Sequence, residues 1–499
     1  MRFLAVLSGL LSTWSILCAA ESNVTSSSAS RLVLPKEFKP PQVFKNANLV
    51  RNTNLEKGYV RETINVVVEN TAKQPQADYY LAFPSDVFDR IGGLEVRNKK
   101  APGKGRFHVE ATQLDSPSDS QFYKIHFPEP LAPSSQLTLA ISYYILSALN
   151  PLPKAIKQDA QQYLTYSFSA YAPSAYPTEN QKTKIKFPNT NVPDYTTTSG
   201  LKSGSDPERQ GSSYTYGPYK NVAAGATYPI TVRFEATKPI VASALLERDL
   251  EVSHWGGNLA TEERYWLRND GAKLSDHFDR VDWTLKTYTN MPTSALRELR
   301  YPLKPGSVDP YFTDDIGNVS TSRYRPGNKA QLELRPRYPV FGGWKYSFRV
   351  GWNNELSSFL RKSAEGTDSY VLKVPFVEGP ANPEGIQYDK VVVRVILPEG
   401  ATNVRYEIVE GASNGLPDPS QIVSNITKHR TYMDTVGRTA LSLSVDNLSD
   451  EARDSQLVVV YDYPFAAGLR KPLTISAGML AVFVTAWFIG NLDVSIKKR

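Results

Sequence analysis

The sequence predicts a mainly β protein, with two tandem β-sandwich-like domains followed by one C-terminal transmembrane α-helix. Short segments with apolar residues at every second position recur along the chain, which is the pattern of half-buried strands. Similar segments return in the same order roughly 200 residues later, which indicates a duplicated unit. One uncharged apolar stretch near the end is long enough to cross a membrane.

The transmembrane helix is predicted at residues 473–492, which read LTISAGMLAVFVTAWFIGNL. Twenty residues at about 1.5 Å per residue span about 30 Å, the thickness of the hydrocarbon core of a bilayer. Arg470 and Lys471 precede the stretch, and a Lys-Lys-Arg tail follows it. A buried core helix is the alternative, but core helices are usually shorter and carry a polar face.

The N-terminus has the features of a secretory signal peptide at residues 1–20. Basic Arg2 precedes an apolar run, and Cys18-Ala19-Ala20 supplies the small residues of a cleavage site. We therefore expect a disordered Ser-rich N-terminus at 21–30, a luminal region up to the helix, and a cytosolic tail at 493–499. An uncleaved anchor is less favoured because the apolar run is short.

The cysteine count and the charge distribution disfavour a small disulfide-stabilised protein and a nucleic-acid-binding protein. The only cysteine, Cys18, lies in the predicted signal peptide, so the luminal region would contain no disulfide. Such domains must be large enough to be stabilised by burial alone. The net charge is +7, but acidic and basic residues are interspersed, which favours a solvated surface over a nucleic-acid partner.

The first luminal β domain is predicted at 31–239 and the second at 240–468, with the boundary at a Lys-Pro pair. Helices are expected only at 155–163 and 293–300. The segments predicted as strands are 63–69, 137–144, 182–187 and 230–235, then 345–350, 391–397, 441–445 and 457–461.

The duplication rests on matching segments in the same order. Segment 163–188 resembles 369–398, because each runs from a strand through a Pro-containing turn into a strand that ends with an apolar residue and Pro. Two further pairs are 69–70 with 265–269, and 137–144 with 346–352. Both halves are therefore predicted to share one β-sandwich-like plan.

No catalytic residue, metal site or cofactor site is predicted. The five histidines lack the spacing of metal ligands on a helix, and no nucleophile elbow, P-loop or dinucleotide fingerprint occurs. Glu262 and Glu263 are neighbours on a predicted strand, so they would point to opposite faces and could not flank one glycosidic bond. Asp314-Asp315 and the stretch from His254 to Asn258 are interpreted as structural turns.

Asn-x-Ser/Thr sequons mark the glycosylation candidates, which are Asn318, Asn425, Asn447 and Asn23. Asn318 follows a turn-like Asp-Ile-Gly sequence, which favours its exposure.

A candidate contact loop lies at 335–344, which reads RPRYPVFGGW. Tyr, Trp and Arg are favoured at interface hot spots. A tight structural connection into the following strand is the open alternative. The candidate contact residues are Arg335, Arg337, Tyr338, Phe341 and Trp344.

Three blocks of the sequence closely resemble the ribophorin I family: EVSHWGGNLA at 251–260, DIGNVSTS at 315–322 and PRYPVFGGWK at 336–345. Their order, the signal peptide and the single C-terminal helix agree with that family, so the resemblance covers essentially the whole chain. The chain stops soon after the helix, like the fungal form. Animal forms extend into a long cytosolic domain, and any role of that domain does not carry over.

The resemblance implies a non-catalytic subunit of the endoplasmic reticulum oligosaccharyltransferase complex. That complex transfers a preassembled oligosaccharide from dolichol pyrophosphate to Asn in sequons of nascent proteins, and a different, multi-spanning subunit carries out catalysis. The implied role is structural and substrate-presenting. The implied protein is a single-pass type I protein of the endoplasmic reticulum membrane, with most of the chain in the lumen. The implied glycosylated position is Asn318.

The partners implied by the resemblance are the other subunits, including the catalytic one, the nascent polypeptide with the translocon, and membrane lipid. Two alternatives stay open from the residues alone. One is a type I receptor or adhesion protein with tandem β-sandwiches, and the other is a membrane-tethered carbohydrate-active enzyme. The tail has Ile496 where a double-lysine retrieval signal needs Lys, so residence in the endoplasmic reticulum would depend on partners.

Overall fold

The protein is mainly β and ends in a long apolar helix, as predicted. The predicted signal peptide, residues 21–30 and the tail at 493–499 lie outside the described residues. The computed structural model describes residues 31–101, 103, 105–114, 120–198, 206–289, 291–364, 368–409, 415–416, 419–431 and 434–491.

We call residues 31–240 the N-terminal half. Its helix is α1 (Ser85–Phe88). Its strands are β1 (Leu32–Leu34), β2 (Phe44–Asn54), β3 (Val60–Asn70), β4 (Gln76–Pro84), β5 (Ile91–Asn98), β6 (His108–Leu114), β7 (Ser120–Leu131), β8 (Gln136–Ile145), β9 (Asn150–Pro151), β10 (Ala155–Ile156), β11 (Tyr163–Ser169), β12 (Thr178–Lys186), β13 (Asp194–Tyr195), β14 (Glu208–Gln210), β15 (Ser213–Val222) and β16 (Pro229–Glu235).

We call residues 241–491 the C-terminal half. Its helices are α2 (Arg280–Tyr288), α3 (Phe465–Gly468) and α4 (Arg470–Gly490), with 3₁₀ turns at Leu356–Ser358, Pro419–Gln421 and Asp450–Asp454. Its strands are β17 (Val241–Ser253), β18 (Asn258–Asn269), β19 (Lys273–Leu274), β20 (Leu299–Pro302), β21 (Val308–Asp314), β22 (Gly317–Asn318), β23 (Arg323–Arg325), β24 (Gln331–Leu334), β25 (Lys345–Glu355), β26 (Leu360–Lys362), β27 (Ser369–Pro375), β28 (Ile386–Glu399), β29 (Thr402–Val409), β30 (Val423–His429), β31 (Arg438–Ser449) and β32 (Gln456–Asp462).

Among the described residues, each half contains one long sheet and two shorter ones. The N-terminal long sheet has the order β14-β15-β12-β2-β3-β8-β5, and its companions are β1-β6-β7-β4 and β13-β16-β11-β9. The C-terminal long sheet has the order β22-β21-β25-β18-β17-β28-β31-β30, and its companions are β20-β24-β23 and β26-β27-β32-β29. A two-stranded sheet, β10-β19, links the halves.

The duplication predicted from the sequence is visible in these orders. The run β15-β12-β2-β3-β8 corresponds strand for strand to β31-β28-β17-β18-β25. The parallel pair of each long sheet also falls at the same place, between β12 and β2 in one sheet and between β28 and β17 in the other. The two halves therefore share one strand arrangement.

Burial follows the predicted alternation. Strand β18 alternates half-buried and buried residues along its whole length, and β3 alternates from Val60 to Asn70. Buried apolar residues form two large clusters, one drawn from residues between Leu34 and Ile240 and one from residues between Val241 and Ala467. Each cluster thus stays within one half of the chain.

A buried Arg–Glu pair lies at the centre of the N-terminal half. Arg51 on β2 donates from Nε to Glu62 on β3 at 2.9 Å, and both side chains are almost fully buried. Tyr143 on β8 and Tyr166 on β11 donate their hydroxyls to the same carboxylate at 2.5 and 3.3 Å. Burial, reinforced by the Glu62 charge, raises the pKa of both tyrosines, so they stay neutral donors.

The C-terminal half contains an equivalent buried Arg–Glu pair. Arg248 on β17 donates to Glu263 on β18 at 2.5 Å and to Glu378, in the loop after β27, at 2.8 Å. Tyr265 donates to the other oxygen of Glu263 at 2.6 Å. Burial opposes the charge of Arg248, but the two carboxylates outweigh it and raise the pKa of the guanidinium.

Polar contacts join the two halves around Tyr59 and Tyr144. Tyr59 donates to Asp450 at 2.7 Å, and Lys57 pairs with the other oxygen of Asp450 at 2.8 Å. Tyr144 donates to the carbonyl of Gly415 at 2.8 Å. Both rings are buried, so these bonds satisfy polar groups that water does not reach.

The two helices predicted at 155–163 and 293–300 are wrong. Residues 155–156 pair as β10 with β19, and Leu299 and Tyr301 alternate into the core from β20. Tertiary packing therefore overrides local helix preference at both places. Helix α2 was not predicted, and Asp279 caps it by accepting hydrogen bonds from the backbone amides of Val281 and Asp282.

The C-terminal helix α4 starts three residues before the predicted bound, because Arg470, Lys471 and Pro472 form its first turn, where Pro is tolerated. None of its residues is buried, and within the described chain it is the helix that is long and apolar enough to cross a membrane. The predicted last residue, Leu492, lies outside the described residues.

We predict that Arg248→Met lowers the free energy of unfolding of the C-terminal half by about 3–5 kcal/mol, because it leaves the buried carboxyl group of Glu263 without its cationic partner. The matched control is Arg264→Met, which removes an arginine from the other face of the neighbouring strand and costs about 1 kcal/mol of cation–π contact with Trp266. Denaturant unfolding followed by Trp fluorescence measures both, since every Trp after Trp14 lies in this half. Equal losses in the two variants would contradict the prediction.

Candidate functional site

The predicted contact loop joins β24 to β25 and is only partly at the surface. Arg335, Arg337 and Tyr338 are exposed, and Trp344 is half-buried. The prediction of Phe341 as a surface contact residue is wrong, because its side chain is fully buried. Its ring packs against three aromatic neighbours, which are Phe278, Trp283 and Trp344, with centroids 5.7, 5.4 and 5.6 Å away.

Glycine explains why the loop can fold inward at this point. A Cβ on Gly342 would lie 2.1 Å from the carbonyl oxygen of Ala272, so only glycine fits this close approach of two backbones. Gly343 follows with φ +80°, a left-handed conformation that favours glycine. The Pro/Gly stretch is therefore a tight structural connection between two strands. It also exposes the side chains of Arg335, Arg337 and Tyr338.

Arg337 ties the loop to the turn that carries the Asn318 sequon. Its Nε donates to Asp314 at 2.6 Å, and its Nη2 donates to the carbonyl of Asn318 at 2.9 Å. Asp314 also accepts from the amides of Ile316 and Gly317 at 3.0 and 3.1 Å, which confirms the predicted turn. Burial alone would raise the pKa of Asp314, but Arg337 and these amides together lower it.

Tyr338 has an internal role as well. Its hydroxyl donates to the carbonyl of Lys345 at 3.0 Å, and its ring meets Trp344 and Tyr346 edge to face at centroid distances of 5.9 and 5.4 Å. Arg335 pairs with Glu298 at 3.6 Å and stays largely exposed. These contacts hold the exposed side chains in one arrangement, which a contact surface requires.

The sequon asparagines occupy different surroundings. Asn318 is exposed at the sequon turn. Asn425 is half-buried in the edge strand β30, opposite Ser442. Asn447 has φ +53° and donates its side-chain amide to the carbonyl of Asp89 in the other half at 2.7 Å. Asn23 lies outside the described residues.

The turn at His254 makes internal contacts and lies beside α3 and the start of α4. His254 Nε2 lies 2.7 Å from the hydroxyl of Tyr461, and its ring meets Tyr370 edge-on at 4.8 Å. Burial lowers the pKa of His254, so the imidazole is neutral at pH 7. Trp255 donates from Nε1 to the carbonyl of Gly468 at 2.8 Å. Sequence reasoning found the turn but not its partner, because the partner is 213 residues away.

A second loop meets the same helix start. Asp434 pairs with Lys471 at 2.8 Å, and its carboxylate is fully buried. Burial alone would raise the pKa of Asp434, but Lys471 and Thr431 lower it. Arg438 donates to the carbonyls of Val252 and Leu397 at 2.9 and 3.1 Å, which binds this loop to the strand before the His254 turn.

The neighbouring carboxylates Glu262 and Glu263 do not form a catalytic pair. Glu263 is buried with Arg248, whereas Glu262 lies on the outer face and accepts from Tyr311, so the two neighbours point to opposite faces as predicted. Within the described ranges, no group of three or more His, Cys, Asp or Glu side chains is arranged to hold a metal ion. The arrangement supplies bonds that stabilise the fold and an exposed loop that can contact a partner.

We predict that Asn318→Gln removes one glycan and increases electrophoretic mobility, because Asn318 is exposed on a tight turn. Asn447→Gln is the matched control and should leave mobility unchanged, because the amide that a glycan would modify is bonded to the Asp89 carbonyl. Mobility with and without endoglycosidase treatment measures both. A glycan lost from the Asn447 variant, or retained by the Asn318 variant, would contradict this assignment.

Comparison with known proteins gives a consistent family. Residues 44–490 match the model of the family described as Ribophorin I. Dolichyl-diphosphooligosaccharide–protein glycosyltransferase subunit 1B of Arabidopsis thaliana is 29% identical over 489 residues, covering 96% of this chain and 100% of that protein. Subunit 1 of the same enzyme from Schizosaccharomyces pombe is 29% identical over 451 residues, covering 90% of this chain and 95% of that protein.

Subunit 1 from Caenorhabditis elegans is 29% identical over 459 residues, covering 91% of this chain and 73% of that protein. Native yeast LTA4 hydrolase is a solved structure with 11% identity and a TM-score of 0.25, covering 38% of this chain and 29% of that chain, and this likeness is too small to carry an argument.

The family match spans both long sheets and the helix α4. It also contains all three sequence blocks that resemble the family, including the His254 turn and the contact loop. The chain belongs to the ribophorin I family.

Proposed function

We propose that this protein is a non-catalytic subunit of the oligosaccharyltransferase complex of the endoplasmic reticulum. The complex transfers a preassembled oligosaccharide from dolichol pyrophosphate to asparagine in Asn-x-Ser/Thr sequons of nascent proteins. The observation that carries the proposal is the family match over residues 44–490, together with relatives from a plant, a yeast and a nematode that are named as subunit 1 of this glycosyltransferase.

The buried carboxylates of the core are bonded to side chains of neighbouring strands, which supports a structural role for this protein. Glu62 accepts bonds from Arg51 and two tyrosines, and Glu263 accepts bonds from Arg248 and Tyr265. A catalytic carboxylate needs a free oxygen facing its substrate. These buried carboxylates instead connect strands, so the polar chemistry of the core serves the fold.

The proposed location is the endoplasmic reticulum membrane, with α4 as a single type I span and the sheets in the lumen. The signal-like N-terminus and the apolar, unburied helix support this orientation. The proposed partners are the other subunits, among them the multi-spanning catalytic subunit, together with the nascent polypeptide, the translocon and membrane lipid.

The luminal part is proposed to form two tandem β-sandwich-like domains, at 31–239 and 240–468. The separate apolar clusters and the repeated strand order support this division. Each long sheet has companion sheets of its own half, as packed layers around one core require.

The contact loop is the proposed subunit-binding or substrate-presenting surface. Its exposed side chains are those of Arg335, Arg337 and Tyr338, and Trp344 lies half-buried beside them. Arg337 fixes the base of the loop through Asp314, so little ordering is left for the partner to impose. Aromatic and arginine side chains held in this way are typical of interface hot spots.

We predict that the tagged protein, purified from membranes in a mild detergent, recovers a multi-spanning glycosyltransferase near one-to-one. The eluate should glycosylate a sequon peptide, because the complex would be intact. Mass spectrometry of the eluate and a peptide glycosylation assay measure the two results. Recovery of the protein alone, or with cell-surface partners only, would reject the proposed function.

We further predict that the double variant Arg335→Glu with Tyr338→Ala lowers recovery of the other subunits about tenfold, equivalent to about 1.4 kcal/mol of binding free energy. The control is Lys329→Glu, an exposed charge change in the loop between β23 and β24. Quantitative mass spectrometry of the eluates gives the ratio. Equal recovery from both variants would exclude the loop as a subunit contact.

A further inference from the structure

Three segments of the C-terminal half converge on the first residues of α4. The His254 turn bonds to the end of α3, two residues before α4, through Trp255 and the carbonyl of Gly468. The loop that contains Asp434 contacts α4 itself through Lys471. The short helix α3 leads directly into it along the chain. The helix start is therefore held by the body of this half rather than by a free linker.

Each of these segments exposes a large apolar side chain close to the helix start. These residues are Trp255, Val436, Phe465 and Leu469, whose exposed fractions are 72%, 44%, 79% and 38%. We call them the juxtamembrane patch. Exposed apolar residues are common singly, but a group drawn from three separate segments to one place indicates an interaction surface.

The length of α4 fixes the level of this patch relative to a bilayer. The helix contains 21 residues, which at about 1.5 Å each span about 31 Å, close to the thickness of the hydrocarbon core. Arg470 then lies at the edge of the core, and Gly468 lies only about 3 Å further along the axis. Trp255, bonded to Gly468, is thus at the level of the lipid headgroups.

The chemistry of the patch fits that level. An indole ring is amphipathic and is favoured at the boundary between headgroups and acyl chains. Phe465 and Leu469 add purely apolar surface, and the exposed cation Arg470 can reach lipid phosphate while its stem stays in the apolar zone.

The patch is also fixed in orientation. His254 is held by Tyr461 and by the rings of Tyr370 and Tyr463, the last at a centroid distance of 4.6 Å. A Cβ on Gly400 would lie 2.7 Å from the Cβ of Ala467, so the turn that follows β28 packs closely on α3. Membrane contact at the patch would therefore set the tilt of the whole C-terminal half.

We propose that the juxtamembrane patch is a lipid-binding surface that lies in the interface of the bilayer leaflet facing the sheets, and that it holds the C-terminal half directly on the membrane. This inference depends on α4 spanning the bilayer and does not depend on membership of the glycosyltransferase complex. The ligand is the phospholipid surface itself.

The test uses the full chain in phosphatidylcholine nanodiscs, with Cys18→Ser and one nitroxide-labelled cysteine at a time. The labelled variants are Phe465→Cys, Trp255→Cys and, as control, Ile316→Cys at the sequon turn, where Ile316 is 81% exposed. Electron paramagnetic resonance compares collisions of each label with oxygen, which concentrates in lipid, and with a water-soluble nickel chelate. We expect the ratio to shift toward oxygen at 465 and 255 relative to 316.

The label at 465 decides the outcome, because the exposed Phe465 ring can be replaced without breaking the Trp255 bond. A label there that meets nickel as often as the control at 316 overturns the proposal. A label shielded from both reagents also overturns it, because protein, such as a second copy of the chain, would then cover the patch.

Discussion

The buried Arg–Glu pair between adjacent strands is the constraint on which each half of this molecule depends. In the N-terminal half, Glu62 is satisfied only when Arg51 from the neighbouring strand, Tyr143 from the next strand and Tyr166 from a companion sheet all meet. A shift of one residue in the register of either strand would move its charged side chain to the solvent-facing side of the sheet. The apolar side chains of that strand would move out of the core together with it. The pair therefore fixes both the register within the long sheet and the packing of a second sheet on it, in a protein whose single cysteine cannot supply a cross-link.

The sequence was most informative where one rule acts alone. Alternation predicted the strands, and repeated order predicted the duplication, because a sheet with one buried face leaves a period of two in the chain. Local preference failed at 155–163 and 293–300, where contacts with distant strands decide the conformation. The inward position of Phe341 was equally hidden, because it depends on Trp283 of α2.

A signal for the buried charges was nevertheless present. Arg51 stands in phase with the buried Leu49 and Thr53, and Glu62 stands in phase with Ile64. Opposite charges at core-facing positions of two consecutive strands indicate a buried ion pair. The same pattern occurs again in β17 and β18. The Asn-x-Ser motif itself is the same at Asn318 and Asn447. The turn-like sequence before Asn318 favoured its exposure, but nothing local to Asn447 indicated that its side-chain amide is bonded across the two halves.

The parallel pair in each long sheet has a consequence for the order of folding. Asn46 on β2 meets Thr178 on β12, which is 132 residues later in the chain, and β17 must likewise wait for β28. A chain that is threaded through a membrane from its N-terminus exposes β2 long before its partner has emerged. In the meantime β2 can pair with β3, and β3 can pair with β8. The edge of β2 that later pairs with β12 stays open until late in synthesis. Completion of each sheet is thus a slow, non-local step, and an unpaired edge of this kind is the natural point at which folding assistance would act.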